Sequence, residues 1–481
     1  MKNKVINSTS KILILIFIAV VSILLCSANS FLCFFNDSGA LNYNLTVAYA
    51  IHNGMVPYRD VFTQTGPIMN LFFVFVTLFD DPYAIVFVLE FQMACIFAYF
   101  VYRISNKFLQ NDFIALITTG LVTFITYTSS AFLLGGTIEE LLLPIFAYFI
   151  FCFCELVHDK KQISIFRAIC LGVNFAIVLW SNICLLLLPI ILMVAGTITS
   201  IKNKSIKNFI NKILIALGVN IFFALIVIWY LFINNAFSDF VSSYFMLEIN
   251  MIDALLYLIK NPLLLILSLV GMIVVFVKYR RKFLSLFVVY CVYLLGLITL
   301  AQNITECLTL SVFALFGVVF IMQWLTEGKF KEKVTTATMY IIAIISIFYC
   351  ATSSNALRYM DKSSYDFPHY AITSKINEYN KEQVALMCYK FEDIGLFNDK
   401  IQVKSKMFAI NDNMPKSSEI MERFDEEVKS KTVDFILTDK TTYLENKEVF
   451  TDNYTVVTEQ NYNKTNDYLT TEITLVLLKK L

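Results

Sequence analysis

The chain has 481 residues, of which 58% are apolar, 15% aromatic and only 16% charged, with a net charge of +1 and a mean hydropathy of +0.68. No soluble fold of this length needs so much apolar surface, and a net charge this close to zero gives no support to a nucleic-acid partner. The class is therefore a polytopic α-helical membrane protein, in which the placement of the charges carries the information.

The first apolar run, Ile12 to about Phe35, follows Lys2, Lys4 and Lys11. No small-x-small cleavage site leads from it into a soluble domain, so it reads as a retained helix and not as a signal peptide. Next comes a polar interruption, Asp37 to Pro67, reading DSGALNYNLTVAYAIHNGMVPYRDVFTQTGP. A loop this long between apolar segments points to function, and an ionisable residue at a membrane boundary is a candidate functional group. Within it, Leu41, Leu45, Ala48, Tyr49 and His52 recur at helical spacing, which suits a helix over Ser38–Asn53 lying along the membrane face. Gly54 and Pro57 end it. Asp37 then has two readings, a general base tuned by partial burial or the N-cap of that helix. Arg59 also has two: a partner for Asp60 beside Tyr58, or a bidentate contact to a lipid-linked phosphate. Pro67 to Phe79 is apolar but too short to span and is expected to lie shallow.

A span takes about 20 apolar residues. Candidates cover roughly 12–32, 84–104, 112–132, 138–157, 165–180, 183–200, 212–233, 260–278, 283–301, 307–325 and 334–352, which makes about 11 transmembrane helices. With the amino terminus inside, the cytoplasmic segments hold 19 basic residues and the opposite loops ahead of the tail hold only Arg59 and Lys260. This bias sets the amino terminus cytoplasmic in a multi-pass cell-membrane protein. The odd span number then puts the tail, with Cys388, outside. Residues 1–352 form the membrane module, with a first outer loop at 33–83, and 353–481 form a small extracytoplasmic α/β domain. In that domain Gln383–Cys388, Val433–Leu437, Tyr454–Thr458 and Thr471–Leu478 read as strands and Ser417–Lys429 as an amphipathic helix.

The turn Gly135-Gly136-Thr137-Ile138-Glu139-Glu140 opens the fourth span. Two carboxylates in a first helical turn favour the helix dipole, and Thr137 suits the cap. Together with Asp37 they could also hold a divalent cation or an acceptor. Asn182 reads as a turn residue. His52, His158 and His369 are scattered, so no metal triad exists. The cysteines lie mostly in apolar runs without a CxxC pair, which supports neither disulfides nor zinc.

Asp37 after the first span, the Tyr-rich helix, Pro57-Tyr58-Arg59-Asp60 and Gly66-Pro67 together resemble the first outer loop of GT-C membrane glycosyltransferases. The branch is that of the protein O-mannosyltransferases, which includes the bacterial aminoarabinose transferases. The turn at 135–140 with Pro144 is similar to the second outer-loop motif of bacterial members, and the resemblance covers about residues 10–200. It implies transfer, with inversion, of a sugar from a polyprenyl-phosphate donor to an extracytoplasmic acceptor. Asp37 would be the base, and Tyr58, Arg59, Asp60, Glu139 and Glu140 would line the donor and acceptor pocket. In one respect the chain departs from the family. Where many relatives carry a His-Tyr pair, this sequence reads Ala301-Gln302-Asn303-Ile304-Thr305-Glu306. Two alternatives belong to other classes: a transporter or flippase of lipid-linked saccharides, and a non-catalytic scaffold. Carriers place charges at mid-membrane, whereas here Glu90 is the main charge within a span.

Overall fold

A computed structural model describes residues 6–36, 38–160, 162–246, 250–327, 336–379, 382–398, 400–410, 414, 418–451, 453–466 and 469–481. Each candidate span coincides with a helix. Among the described residues seven are long and apolar enough to cross a membrane: Ser8–Cys26, Pro82–Leu109, Ile138–His158, Cys184–Lys202, Ile206–Ile233, Phe283–Leu300 and Ile304–Thr326. An eighth is counted if Met251–Ile259 and Pro262–Lys278, bent by 88° at their break, form one span. The other three of the 11 candidates, Asp112–Tyr127, Ile165–Leu179 and Ala337–Ser353, are shorter apolar helices among the described residues. The chain is a multi-pass membrane protein.

The chain separates into two compact units. The first comprises residues 1–32, 86–226 and 249–358. Its centre is made by Ile138–His158 and Ile304–Thr326, whose most apolar windows are 83% and 94% buried, while Ile206–Ile233, at 6%, lies at the periphery. Pro262–Lys278 and Phe283–Leu300 fold back on one another, with Ser268 Oγ 3.0 Å from the Tyr290 hydroxyl and the Phe276 and Phe287 rings 4.8 Å apart. Gly271 and Gly317 let the backbones of two helices meet. A Cβ on Gly271 would lie 2.3 Å from the Gly317 nitrogen, so any side chain there forces the helices apart.

The second unit comprises residues 33–85, 227–248 and 359–481. Its five-stranded sheet runs in the order β2-β1-β3-β5-β4, from β1 Val384–Cys388, β2 Ile401–Gln402, β3 Phe435–Asp439, β4 Tyr454–Asn466 and β5 Leu469–Lys480. β1 pairs parallel with β2 and β3, and β5 runs antiparallel between β3 and β4. Four of these strands fall where the alternation of apolar residues puts them, whereas β2, with two residues, is too short to show a period.

Side chains of successive strand residues face opposite ways. On one face Val384, Leu386, Cys388, Phe435, Leu437, Leu475 and Leu477 pack with Tyr43, Val47 and Ala50. On the other Ala385, Met387, Ile436, Val476 and Leu478 pack with Ile420, Phe424 and Val428 of the helix Ser418–Lys429. The helix expected over 38–53 therefore forms, as Gly39–His52, but it covers a sheet. Nine of its 14 residues are buried, where a helix lying along a membrane face would keep one side exposed.

Cys388 is fully buried in β1, which hides it from thiol reagents on either side of a membrane. The sidedness of the tail is read instead from an exposed position such as Glu422. With the tail extracytoplasmic, Glu422→Cys in intact cells is labelled by a membrane-impermeant maleimide above the level of the parent protein. Labelling of this variant only after permeabilisation would reverse the orientation.

Candidate active site

Three of the buried carboxyls of the first unit, Glu139, Glu140 and Glu306, lie where helices begin, and a fourth, Glu90, reaches the same turn. Thr137 caps the helix Ile138–His158, its hydroxyl accepting the Glu140 N–H at 3.3 Å. Glu140 reaches back to accept the Gly136 N–H at 3.0 Å. Gly135 has φ of +85°, and a Cβ there would lie 2.5 Å from a Glu90 carboxylate oxygen, so both the turn and its close approach require glycine. Glu90, in Pro82–Leu109, accepts from Ser27 Oγ at 2.7 Å and from Asn29 Nδ2 at 3.0 Å. The Glu90 and Glu140 carboxyls are close neighbours, and Glu140 Oε1 has no hydrogen-bond partner among the described residues.

Glu139 turns to a different neighbourhood. The Asn182 amide donates to Glu139 at 2.9 Å and to Glu306 at 3.3 Å, bridging the two carboxylates. The second oxygen of Glu306 accepts the Gln302 N–H at 3.1 Å. Asn182 is itself fixed because its Oδ1 accepts the Cys184 N–H at 2.9 Å. Glu90, Glu139, Glu140 and Glu306 are all buried. Among the described residues, no group of three or more His, Cys, Asp or Glu side chains forms a metal site. Glu139 and Glu306 bring two carboxylates together about one amide.

The second unit holds the first-loop residues. Asp37 lies outside the described residues, but both of its flanks are tied down. Phe35 stacks on His369 with ring centroids 4.7 Å apart. Asn36 Oδ1 accepts the Ser38 N–H at 2.8 Å, and the Asn36 carbonyl accepts from Asn42, whose own Oδ1 accepts the Tyr83 hydroxyl at 2.7 Å. The N-cap position of Gly39–His52 falls on Ser38, one residue past Asp37.

Arg59 is held by Asp60 through two contacts of 2.7 and 2.8 Å and donates to the Asn234 carbonyl at 2.8 Å. The guanidinium holds the Asp60 carboxyl below the usual carboxylate range, and Asp60 also accepts the Val56 N–H at 2.8 Å. Tyr58 is fully buried, with its hydroxyl donating to the Thr65 carbonyl at 2.7 Å and accepting from Asn70 at 3.2 Å. The ion-pair reading of Arg59 is thus the geometry seen, and Tyr58 and Asp60 are engaged within the loop. A further carboxyl, Asp393, is buried against the loop helix, accepting from Thr46 Oγ1 at 2.6 Å and from the Gly395 N–H at 2.8 Å.

No family model and no curated protein matches the chain. Among solved structures it is similar to ArnT from Cupriavidus metallidurans in the apo state, with a TM-score of 0.61 and 10% identity over 98% of this chain and 97% of that one. The same protein bound to undecaprenyl phosphate aligns with a TM-score of 0.57, again at 10% identity and with the same coverage. The chain has the ArnT-like GT-C fold.

Within this fold, five residues of these contacts were not assigned a site role from the sequence. Glu90 stood out as the charge within a span, yet nothing local ties it to Glu140, 50 positions on. Asn182 reads as a turn residue because its partners come from distant helices. Glu306 is visible only as the end of the segment that departs from the family pattern. Ser27 and Asn29 carry no sequence signal.

Two substitutions test these contacts. Glu90→Gln keeps one acceptor oxygen, for either Ser27 or Asn29, and places an amide donor beside Glu140, whereas Glu90→Ala strands both donors at a cost of about 1–3 kcal/mol. Thermal unfolding in detergent should rank wild type and Glu90→Gln together and Glu90→Ala below, and equal midpoints for the two variants would remove the cluster's structural importance. For Asp393, burial raises the carboxyl to about 6 from an ordinary 3.8. A raised acid favours the folded state while protonated, so its contribution is fully present below about pH 4 and is lost as pH rises through about 6, on the order of 3 kcal/mol. The stability of wild type relative to Asp393→Asn should therefore fall between pH 4 and 7, and a constant difference would contradict the buried, protonated carboxyl.

Proposed function

We propose that this protein is a membrane glycosyltransferase that moves a sugar from a polyprenyl-phosphate donor to an extracytoplasmic acceptor with inversion at the anomeric carbon. The observation that carries the reading is the fold shared with ArnT over almost the whole of both chains, together with the undecaprenyl phosphate that ArnT binds. The enclosed carboxylates at the start of Ile138–His158 support it, because buried ionisable groups gathered at helix ends are a common site arrangement.

In this reading Asp37 is the general base. It takes the proton of the acceptor hydroxyl as that oxygen bonds to the anomeric carbon, on the face opposite the lipid phosphate. The bond from carbon to the phosphate oxygen breaks, and the lipid phosphate leaves as a stable anion, so no general acid is obligatory. Glu139, held with Glu306 by Asn182, offers acceptors to sugar hydroxyls, and Glu140 fixes the Gly135-Gly136 turn. Arg59, Asp60 and Tyr58 brace the first loop, since their polar groups are committed to one another and to nearby backbone. The basic residues favour a cytoplasmic amino terminus and an extracytoplasmic tail, and the apolar donor chain stays in the bilayer.

Asp37→Asn should leave a folded, inserted protein whose transfer rate is lower by at least about 100-fold, the scale for losing a positioned base. Turnover near that of wild type would remove Asp37 from the chemistry. Mass spectrometry of cell-envelope glycans with and without the protein should show the loss of one sugar substituent. Identical glycans, with donor and acceptor both present, would overturn the transferase.

A further inference from the structure

The first unit contains a crevice between Ile138–His158, Ile165–Leu179, Leu187–Lys202 and Ile206–Ile233, lined on the first of these helices by residues from Phe149 onward, two turns and more past Glu139 and Glu140. Its volume is about 140 Å³ and its walls are almost wholly apolar, with Phe149, Phe153, Phe175, Leu192 and Pro189 among them. One side is a single helical face, on which Phe209, Lys212, Ile213, Ala216 and Leu217 recur at intervals of three and four. Rim residues Met193 and Leu217 are 37% and 47% exposed, so the crevice opens sideways onto the surface that meets lipid.

Lys212 is the one cation in this wall. Two other basic residues at this end are neutralised: Lys107 pairs with Asp159 at 2.7 Å, and Arg167 pairs with Glu155. Among the described residues Lys212 makes no ion pair, and neither do Lys202, Lys204 and Lys207 around the turn that joins the two nearest helices. An apolar slot open to the bilayer with an unopposed ammonium in its wall, beside three more cations, matches an amphiphile with a flexible apolar chain and a negative head. Basic pockets between membrane helices recognise anionic headgroups in this way, each cation contributing on the order of 1 kcal/mol, equivalent to about fivefold in affinity.

We infer that this crevice is a binding site for an anionic phospholipid, one acyl chain lying along Phe149, Phe153 and Leu192 and the phosphate held by Lys212. The site is distinct from the proposed transfer site, because none of Glu90, Glu139, Glu140 and Glu306 lines it and none of their hydrogen-bond partners given above does.

The test uses full-length protein in a neutral detergent, titrated separately with phosphatidylglycerol, phosphatidylcholine, undecaprenyl phosphate and inorganic phosphate, with thermal unfolding as the readout. Phosphatidylglycerol should raise the midpoint by at least about 2 °C and act at about fivefold lower concentration than phosphatidylcholine. Lys212→Glu should abolish that preference, while Lys212→Arg, which keeps the charge, should retain it. Equal effects of the two phospholipids, a preference unchanged in Lys212→Glu, or stabilisation by undecaprenyl phosphate or inorganic phosphate alone would each overturn the proposal.

Discussion

Carboxylates removed from water have to be met by donors, and that requirement organises the first unit. Glu90, Glu139, Glu140 and Glu306 are buried and receive Ser27, Asn29, the Gly136 N–H, Asn182 and the Gln302 N–H. Those donors come from four separate stretches of chain, so satisfying these groups draws together the end of the first helix, the 135–140 turn, the 182–184 turn and the 302–306 segment. Removing one partner of a buried charged group costs more than the pair contributes. Polar constraints of this kind specify one arrangement of helices where apolar packing alone would accept several, because a slipped helix would strand a charge.

The second unit solves a different problem. A sheet containing parallel strands needs both faces covered, yet the tail supplies a long amphipathic helix for only one, Ser418–Lys429. The other face is closed by Ile372 and Ile376 of the shorter tail helix Pro368–Asn377 together with Tyr43, Val47 and Ala50 of the first-loop helix. Residues more than 300 positions apart thus share a core, and Thr46 with Asp393 adds a buried hydrogen bond to it. The tail thereby acquires a physical role without any catalytic group: through His369 against Phe35 and the sheet against Gly39–His52, it holds the backbone on both sides of Asp37.

What was legible in the sequence follows from the range of the interactions. Strands β1, β3, β4 and β5, the helix Ser418–Lys429, the Thr137 cap and the apolar helices all rest on local periodicity and capping, which act over a few residues. The loop helix was legible as a helix, but its partner was not, because an apolar stripe fits a membrane face or a sheet equally well. Arg59 was readable as far as its two alternatives. Tyr58 was expected among the pocket residues, yet the fold encloses it, with φ of +70° turning its side chain inward onto Thr65 and Asn70. Glu306 and Asn182 stayed hidden because their meaning depends on a contact spanning 124 positions.

The adjacent acids Glu139 and Glu140 show how a sequence pattern can suggest a shared ligand for two side chains that the fold sends to different partners. Consecutive residues on an α-helix point about 100° apart, so two neighbouring carboxylates at a helix start cannot converge on one ligand without distorting the turn. The capped geometry keeps that turn regular, and the two side chains diverge. Glu140 folds back to Gly136 and Glu90, while Glu139 goes out to Asn182 and Glu306. The pairs that matter are therefore Glu90 with Glu140 and Glu139 with Glu306. The first stands behind the glycine turn and shapes it. The second, bridged by an amide that is itself only half-buried, is the one with carboxylate acceptors that a polar substrate could share.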